Sequence, residues 1–207
     1  MENRVSQYFQ TLGRLPAAAE VTDVRGHGLP LGAFFVAAVS RMRATHAAGN
    51  KIMFVGNGGS ASIASHMAND FTKNGNLRAM CFLDGAALTC LGNDLGYESV
   101  FAKQIEMHGR EGDLLVAISS SGNSPNILRA VDAARNQRCG VITLSGFQPD
   151  NKLRALGDYN VYVPNGEYGF VEISHLALCH ALLDIAMGWG QETSTNPVIE
   201  QQRRLSA

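Results

Sequence analysis

The sequence predicts an α/β fold in which five parallel strands form a sheet with helices on both faces, preceded by an N-terminal helical extension. Two observations carry this expectation. Short apolar runs at 51–55, 77–83, 113–118, 140–144 and 159–163 alternate with stretches of helical periodicity. Strands apolar on both sides belong in a sheet that is covered on both faces. Two of the runs also end directly in glycine- and serine-rich turns that open helix-like segments, which is how strand-to-helix connections at the carboxyl ends of parallel strands read.

Taken in order, residues 1 to 25 mix polar and apolar side chains and are expected to form a helix with a loose lead-in. From Pro30 to Ala48, Leu31, Phe34, Phe35, Ala38, Val39, Met42 and Ala47 recur at helical spacing and stop at Gly49-Asn50, a helix end by its glycine. Helical patterns follow at 60–73, 98–109, 125–137 and 151–156, and a last helix is expected over about 171 to 189. On that helix Ile173, Leu176, Ala177, His180, Leu183 and Met187 lie along one stripe. The whole reads as one domain, with N-terminal helices over 1–50, an α/β core over 51–190 and a tail over 191–207.

Composition bounds the function. The 207 residues are 45% hydrophobic and 17% charged, enough apolar surface for a packed core. A net charge of −1 and a pI near 6.6 argue against nucleic-acid or membrane partners. No stretch approaches the ~18 apolar residues of a membrane span, and Met1-Glu2-Asn3-Arg4 does not open a signal peptide. Cys81, Cys90, Cys139 and Cys179 form no CxxC pair, so buried thiols in a reducing cytoplasm are expected.

The chemistry starts at the two turns. Gly56-Asn57-Gly58-Gly59-Ser60 follows Lys51–Val55, and Ser119-Ser120-Ser121-Gly122-Asn123-Ser124 follows Asp113–Ile118. A helix start after a buried strand offers free backbone N–H groups and the positive end of the helix dipole, which suits a phosphate. Ser124 fits an N-cap and Pro125 the first helical position; Ser119, Ser120 and Ser121 exceed what capping needs. Two such turns on one sheet point to a small phosphorylated ligand. The first turn also fits G-x-G-x-x-A, with Asp84 ending the next strand as a ribose-binding acid would. That dinucleotide alternative leaves the serine turn unexplained, and Asp84 lies 28 residues past Gly56 rather than about 20.

His66 and Asp70 lie four apart on the helix opened by the first turn, hence on one face. They can grip a divalent metal, serve as an acid/base pair, or simply hydrogen bond on the surface. Glu172 and His180 supply a second polar set, with His175 between them; Asp184 could satisfy His180. Eight residues of helix separate Glu172 from His180, about 12 Å of rise, near the limit for meeting at one ion. His66, Asp70, Glu172 and His180 form a mixed N/O set suited to zinc or another first-row divalent metal. Beside a phosphosugar, such a set fits aldose–ketose isomerisation through an enediol, which needs one base and one acid.

Gly56-Asn57-Gly58-Gly59-Ser60-Ala61, then His66, then Asn93-Asp94-x-Gly96-Tyr97, then Ile118 through Asn126, then His175 and His180 resemble the sugar isomerase (SIS) domain family over about residues 30 to 188. Within it they are most similar to the sedoheptulose 7-phosphate isomerases. The resemblance implies a flavodoxin-like five-stranded sheet and a homotetramer with sites between subunits. It implies that Ser60, Ser119, Ser120, Ser121 and Ser124, with the backbone of Gly58 and Gly59, hold the phosphate, and that Asn57 and Asp94 contact sugar hydroxyls or order the site. His66, Asp70, Glu172 and His180 match its zinc and acid/base positions, with Asp70, Glu172 and His180 in the catalytic roles. The isomerases carry glutamate where this chain has Asp70, and glutamine where it has Glu172. The family also contains a DiaA-type regulator that binds the replication initiator. It lacks the catalytic glutamate and the final histidine, so a non-catalytic phosphosugar-binding or protein-interaction module is the alternative.

Overall fold

A computed structural model describes residues 1–190; the tail expected at 191–207 lies outside the described residues. Helix α1 (Glu2–Arg14) and a 3-10 turn lead into β1 (Glu20–Asp23), β2 (Gly28–Leu29) and α2 (Leu31–Ala47). The core follows as β3 (Ile52–Val55), α3 (Gly59–Lys73), β4 (Ala79–Cys81), α4 (Gly85–Leu95), α5 (Ala102–His108), β5 (Leu114–Ser119), α6 (Pro125–Asn136), β6 (Gly140–Ser145), β7 (Tyr159–Tyr162) and α7 (Tyr168–Ala186).

One sheet runs in the order β2-β1-β7-β6-β5-β3-β4. Its five core strands are parallel, as expected. The strands β1 and β2 correct the reading of residues 1 to 25: a hairpin extends the sheet antiparallel to β7. Its turn is set by Asp23, whose Oδ1 accepts from the N–H groups of Arg25 and His27 at 2.8 Å each. The hairpin covers an edge of β7 that would otherwise present unpaired backbone groups.

Burial explains why the pattern was readable. Every residue of β3, β5 and β6 is buried, and one cluster lies on each face of the sheet: α2, α3 and α7 close one, α5 and α6 the other. Asp113, fully buried, clamps the amino ends of β3 and β5. It accepts from Lys51 N at 2.9 Å, Lys51 Nζ at 2.6 Å and Arg110 N at 3.0 Å. A buried carboxylate requires that density of donors, and the clamp fixes which carboxyl ends stand side by side at the other end of the sheet.

Strand order reverses between β3 and β5: the chain goes from β3 outward to β4, then returns to β5 on the far side of β3. Such a switch point opens a crevice at the carboxyl ends of the flanking strands. Both glycine/serine turns lie there. Helix α7 is long and apolar enough to cross a membrane by length and composition, but Phe170, Val171, Leu178, Leu182 and Leu183 are buried in the core. Its inward face keeps Leu183 and Met187 of the stripe expected from the sequence but not the rest. Ile173 is exposed and Leu176, Ala177 and His180 are half-buried, while the polar pair Ser174 and His175 is fully buried.

Candidate active site

At the switch point Gly58 adopts φ 53° and ψ −120°, a conformation open in practice to glycine alone, and α3 starts one residue later. At Gly59 a β-carbon would meet the carboxylate of Glu172, which would have to move aside. Glu172, on α7, therefore lies over the first residue of α3. The second turn ends at Ser124, which stands at the N-cap of α6 but makes no side-chain capping bond. That corrects the capping expectation. The Ser124 hydroxyl instead lies 3.3 Å from Ser119 Oγ, which also accepts from Gly122 N at 3.2 Å. Ser120 Oγ is buried without a hydrogen-bond partner among the described residues.

These pieces enclose one cavity of about 270 Å³, lined by both turns (Asn57, Gly58, Gly59, Ser60, Ser119, Ser120, Ser121, Ser124) and by Glu172 and Tyr168 of α7. Hydroxyls and the amides of two helix starts converge there, which is the chemistry of an anion site. A buried hydroxyl without a partner costs free energy unless a ligand bonds it.

A second cluster stands on the same two helices. Asp70 Oδ2 lies 3.4 Å from His66 Nε2 and 4.0 Å from His180 Nδ1. The three ligand atoms all fall within 4.8 Å of one another, and the two imidazole rings are 5.2 Å apart. Ligands around a tetrahedral zinc at about 2.0–2.1 Å are roughly 3.3 Å from each other, so small side-chain movements close this set on an ion. Two imidazoles and one carboxylate with a fourth position open match catalytic zinc chemistry. His180 pairs here with Asp70 rather than with Asp184 of its own helix.

Two expected residues stand elsewhere. Glu172 is not gathered with His66, Asp70 and His180; it is a wall of the anion cavity, because eight residues of helix keep it from the triad. Asp94 ends α4 as an exposed residue, accepting from Asn93 Nδ2 at 2.8 Å, and it is absent from the cavity lining. Asp84 is the N-cap of α4, its Oδ1 accepting from Ala87 N at 2.8 Å. The acid reserved for a ribose is thus a capping residue of a helix that the sequence reading left out. Cys90 also departs from expectation: it is exposed on α4, whereas Cys139 and Cys179 are buried, all as free thiols.

His175 was carried in the motif without a role. It is fully buried on α7 with Nε2 3.1 Å from the carbonyl oxygen of Ser145. That oxygen only accepts, so Nε2 carries the proton and Nδ1, which has no partner among the described residues, is the bare nitrogen. Burial pushes this imidazole down to about 4, and the bond to Ser145 opposes the shift only in part. The unfolded chain, near 6.5, takes up its proton first as pH falls. Stability is therefore full above pH 6.5 and lost toward pH 4, about 2 kcal/mol of it by pH 5. Thermal melts at pH 7 and pH 5 check this: the wild type is expected to lose more on acidification than His175→Gln, and equal losses would contradict it.

The model of the SIS domain matches residues 34–146. The phosphoheptose isomerase of Helicobacter hepaticus is 39% identical over 157 residues, covering 72% of this chain and 80% of that protein. That of Rhodospirillum rubrum is 40% identical over 142 residues, covering 65% and 74%. Among solved structures, the phosphoheptose isomerase GmhA from Neisseria gonorrhoeae superposes with a TM-score of 0.76 at 36% identity, covering 89% of this chain and 98% of that one. A phosphoheptose isomerase from Francisella tularensis gives 0.76 at 28% identity, covering 90% and 97%.

Proposed function

Because the chain belongs to the SIS domain family, we propose that it is a phosphoheptose isomerase, interconverting sedoheptulose 7-phosphate and the corresponding aldose phosphate in a single SIS domain. The observation that carries this reading is the pairing of a hydroxyl-and-amide cavity at the starts of α3 and α6 with a His/Asp/His cluster on α3 and α7. In it Ser60, Ser119, Ser120, Ser121 and Ser124 hold the phosphate, helped by the amides that follow Gly58, and the helix dipoles of α3 and α6 favour its charge.

Isomerisation moves one proton between neighbouring carbons. A base takes it from the carbon beside the carbonyl, giving an enediol, and returns it to the former carbonyl carbon. Our candidate for that base is Glu172, a carboxylate in the cavity wall, since Asp70 is engaged between two imidazoles. His66, Asp70 and His180 would hold zinc or another divalent ion, which supplies polarisation of the substrate carbonyl when bound. Asn57, which lines the cavity, remains the candidate for contact with a sugar hydroxyl.

Assembly as a homotetramer is part of the same proposal. Helix α1 buries no residue fully. Val5, Phe9, Val36, Tyr168, Ile173 and Trp189 leave large apolar surface exposed around α1, α2 and α7, a pattern that marks interfaces. Free cysteines throughout suit a reducing cytoplasm. The test is incubation with sedoheptulose 7-phosphate, following formation of the aldose. Turnover is expected; phosphosugar binding without turnover would instead identify a binding module.

A further inference from the structure

Asn57 is more tightly specified than any other polar side chain of the cavity. Its amide pairs reciprocally with that of Asn126: Asn57 Nδ2 donates to Asn126 Oδ1 at 2.9 Å, and Asn126 Nδ2 donates to Asn57 Oδ1 at 2.8 Å. The hydroxyl of Tyr97 donates to the same Asn57 Oδ1 at 3.1 Å. A side-chain amide has two acceptor lone pairs and two N–H donors. Both lone pairs of Asn57 are filled and one N–H is spent, which leaves a single N–H for the cavity that Asn57 lines.

The partners come from different parts of the chain. Asn126 is buried in the first turn of α6, two residues after Ser124. Tyr97, more than half exposed, stands on the 3-10 turn after α4. The pair therefore ties the first phosphate turn to the helix opened by the second.

We propose that Asn126 and Tyr97 are positioning residues that hold the Asn57 amide oxygen away from the ligand and one N–H toward it, so that the first turn meets the bound phosphosugar only as a hydrogen-bond donor. Turned the other way, the amide would set its oxygen against phosphate and carbonyl oxygens, a repulsive contact beside the hydroxyls and amides of the two turns. This rests on the phosphosugar reading above, in that the ligand oxygen it recognises belongs to such a molecule.

The test is a double-mutant cycle in affinity, which needs no catalysis. Dissociation constants for sedoheptulose 7-phosphate and for inorganic phosphate are measured by calorimetry for the wild type, Asn57→Ala, Tyr97→Phe and the double variant. For the probe that Asn57→Ala weakens, that loss is expected to be about tenfold or more, and Tyr97→Phe alone to cost about three- to tenfold. The double variant should be no weaker than Asn57→Ala to within about twofold, because Tyr97 acts through Asn57. Losses that multiply, or Tyr97→Phe and Asn57→Ala without effect on either probe, overturn the proposal. Asn126→Leu forms a second cycle. A wild type that binds but does not isomerise rejects the isomerase reading and leaves this result standing.

Discussion

Glu172→Gln is expected to lower kcat by about 10²–10⁴-fold, the range that a positioned proton carrier contributes, or about 3–5 kcal/mol of barrier. The substitution is nearly isosteric, so the side chain still covers Gly59 and the cavity keeps its shape. Only the charge and the capacity to take a proton are lost. The same change removes a negative charge from a cavity lined by the serines and glycines of two helix starts, so inorganic phosphate should bind equally well or several-fold tighter as like-charge repulsion falls. Activity and affinity thus move in opposite directions, which separates a lost base from a damaged site. A variant that keeps full kcat returns the proton to Asp70, where the resemblance to the isomerases puts it.

The pairing of Asp70 and Glu172 also shows what sequence can and cannot convey. That both turns sit at carboxyl ends of parallel strands is legible, because it follows from the apolar runs and the turns that close them; that those strands are neighbours is a fact of the fold. The His66/Asp70 face is legible too, since i and i+4 on a helix are neighbours. The separation of Glu172 from the His66/Asp70/His180 cluster is visible in the sequence only as a length of helix. Where its carboxylate comes to rest depends on the approach of α7 to Gly59, a tertiary contact with no local signature.

Other omissions share that cause. Asp84 fits the dinucleotide alternative because it ends a strand, yet in the structure it accepts from Ala87 N and starts α4; the same residue type serves both uses. In the first half of α7 the buried face escapes the sequence because Ser174 and His175 count as polar, although both are fully buried, whereas Leu183 and Met187 lie inward as their spacing predicts. Tyr168 lines the cavity from a first turn that lay outside the expected helix. Asn126 reads as an ordinary first-turn residue after Pro125, and only its bond to Asn57 across 69 positions gives it a function.

Replacing His180 by alanine is expected to abolish both metal retention and turnover while leaving the fold in place. The side chain is 36% exposed, so its removal opens no core cavity and the melting temperature of the metal-free protein should change little. The triad, however, falls to one imidazole and one carboxylate. Losing even an outer-shell partner of a metal ligand costs about 10–100-fold in affinity, and loss of a direct ligand should exceed ~100-fold. Metal analysis of the purified proteins reads this independently of activity, with near-stoichiometric zinc in the wild type and traces in His180→Ala. Asp184→Asn, one turn along the same helix, serves as the control and should retain the metal, because His180 is paired with Asp70 instead. Retained metal with lost turnover in His180→Ala would make this imidazole a proton donor rather than a ligand. Retention of both would remove the triad from the mechanism and leave Glu172, in the wall of the phosphate cavity, as the group that moves the proton.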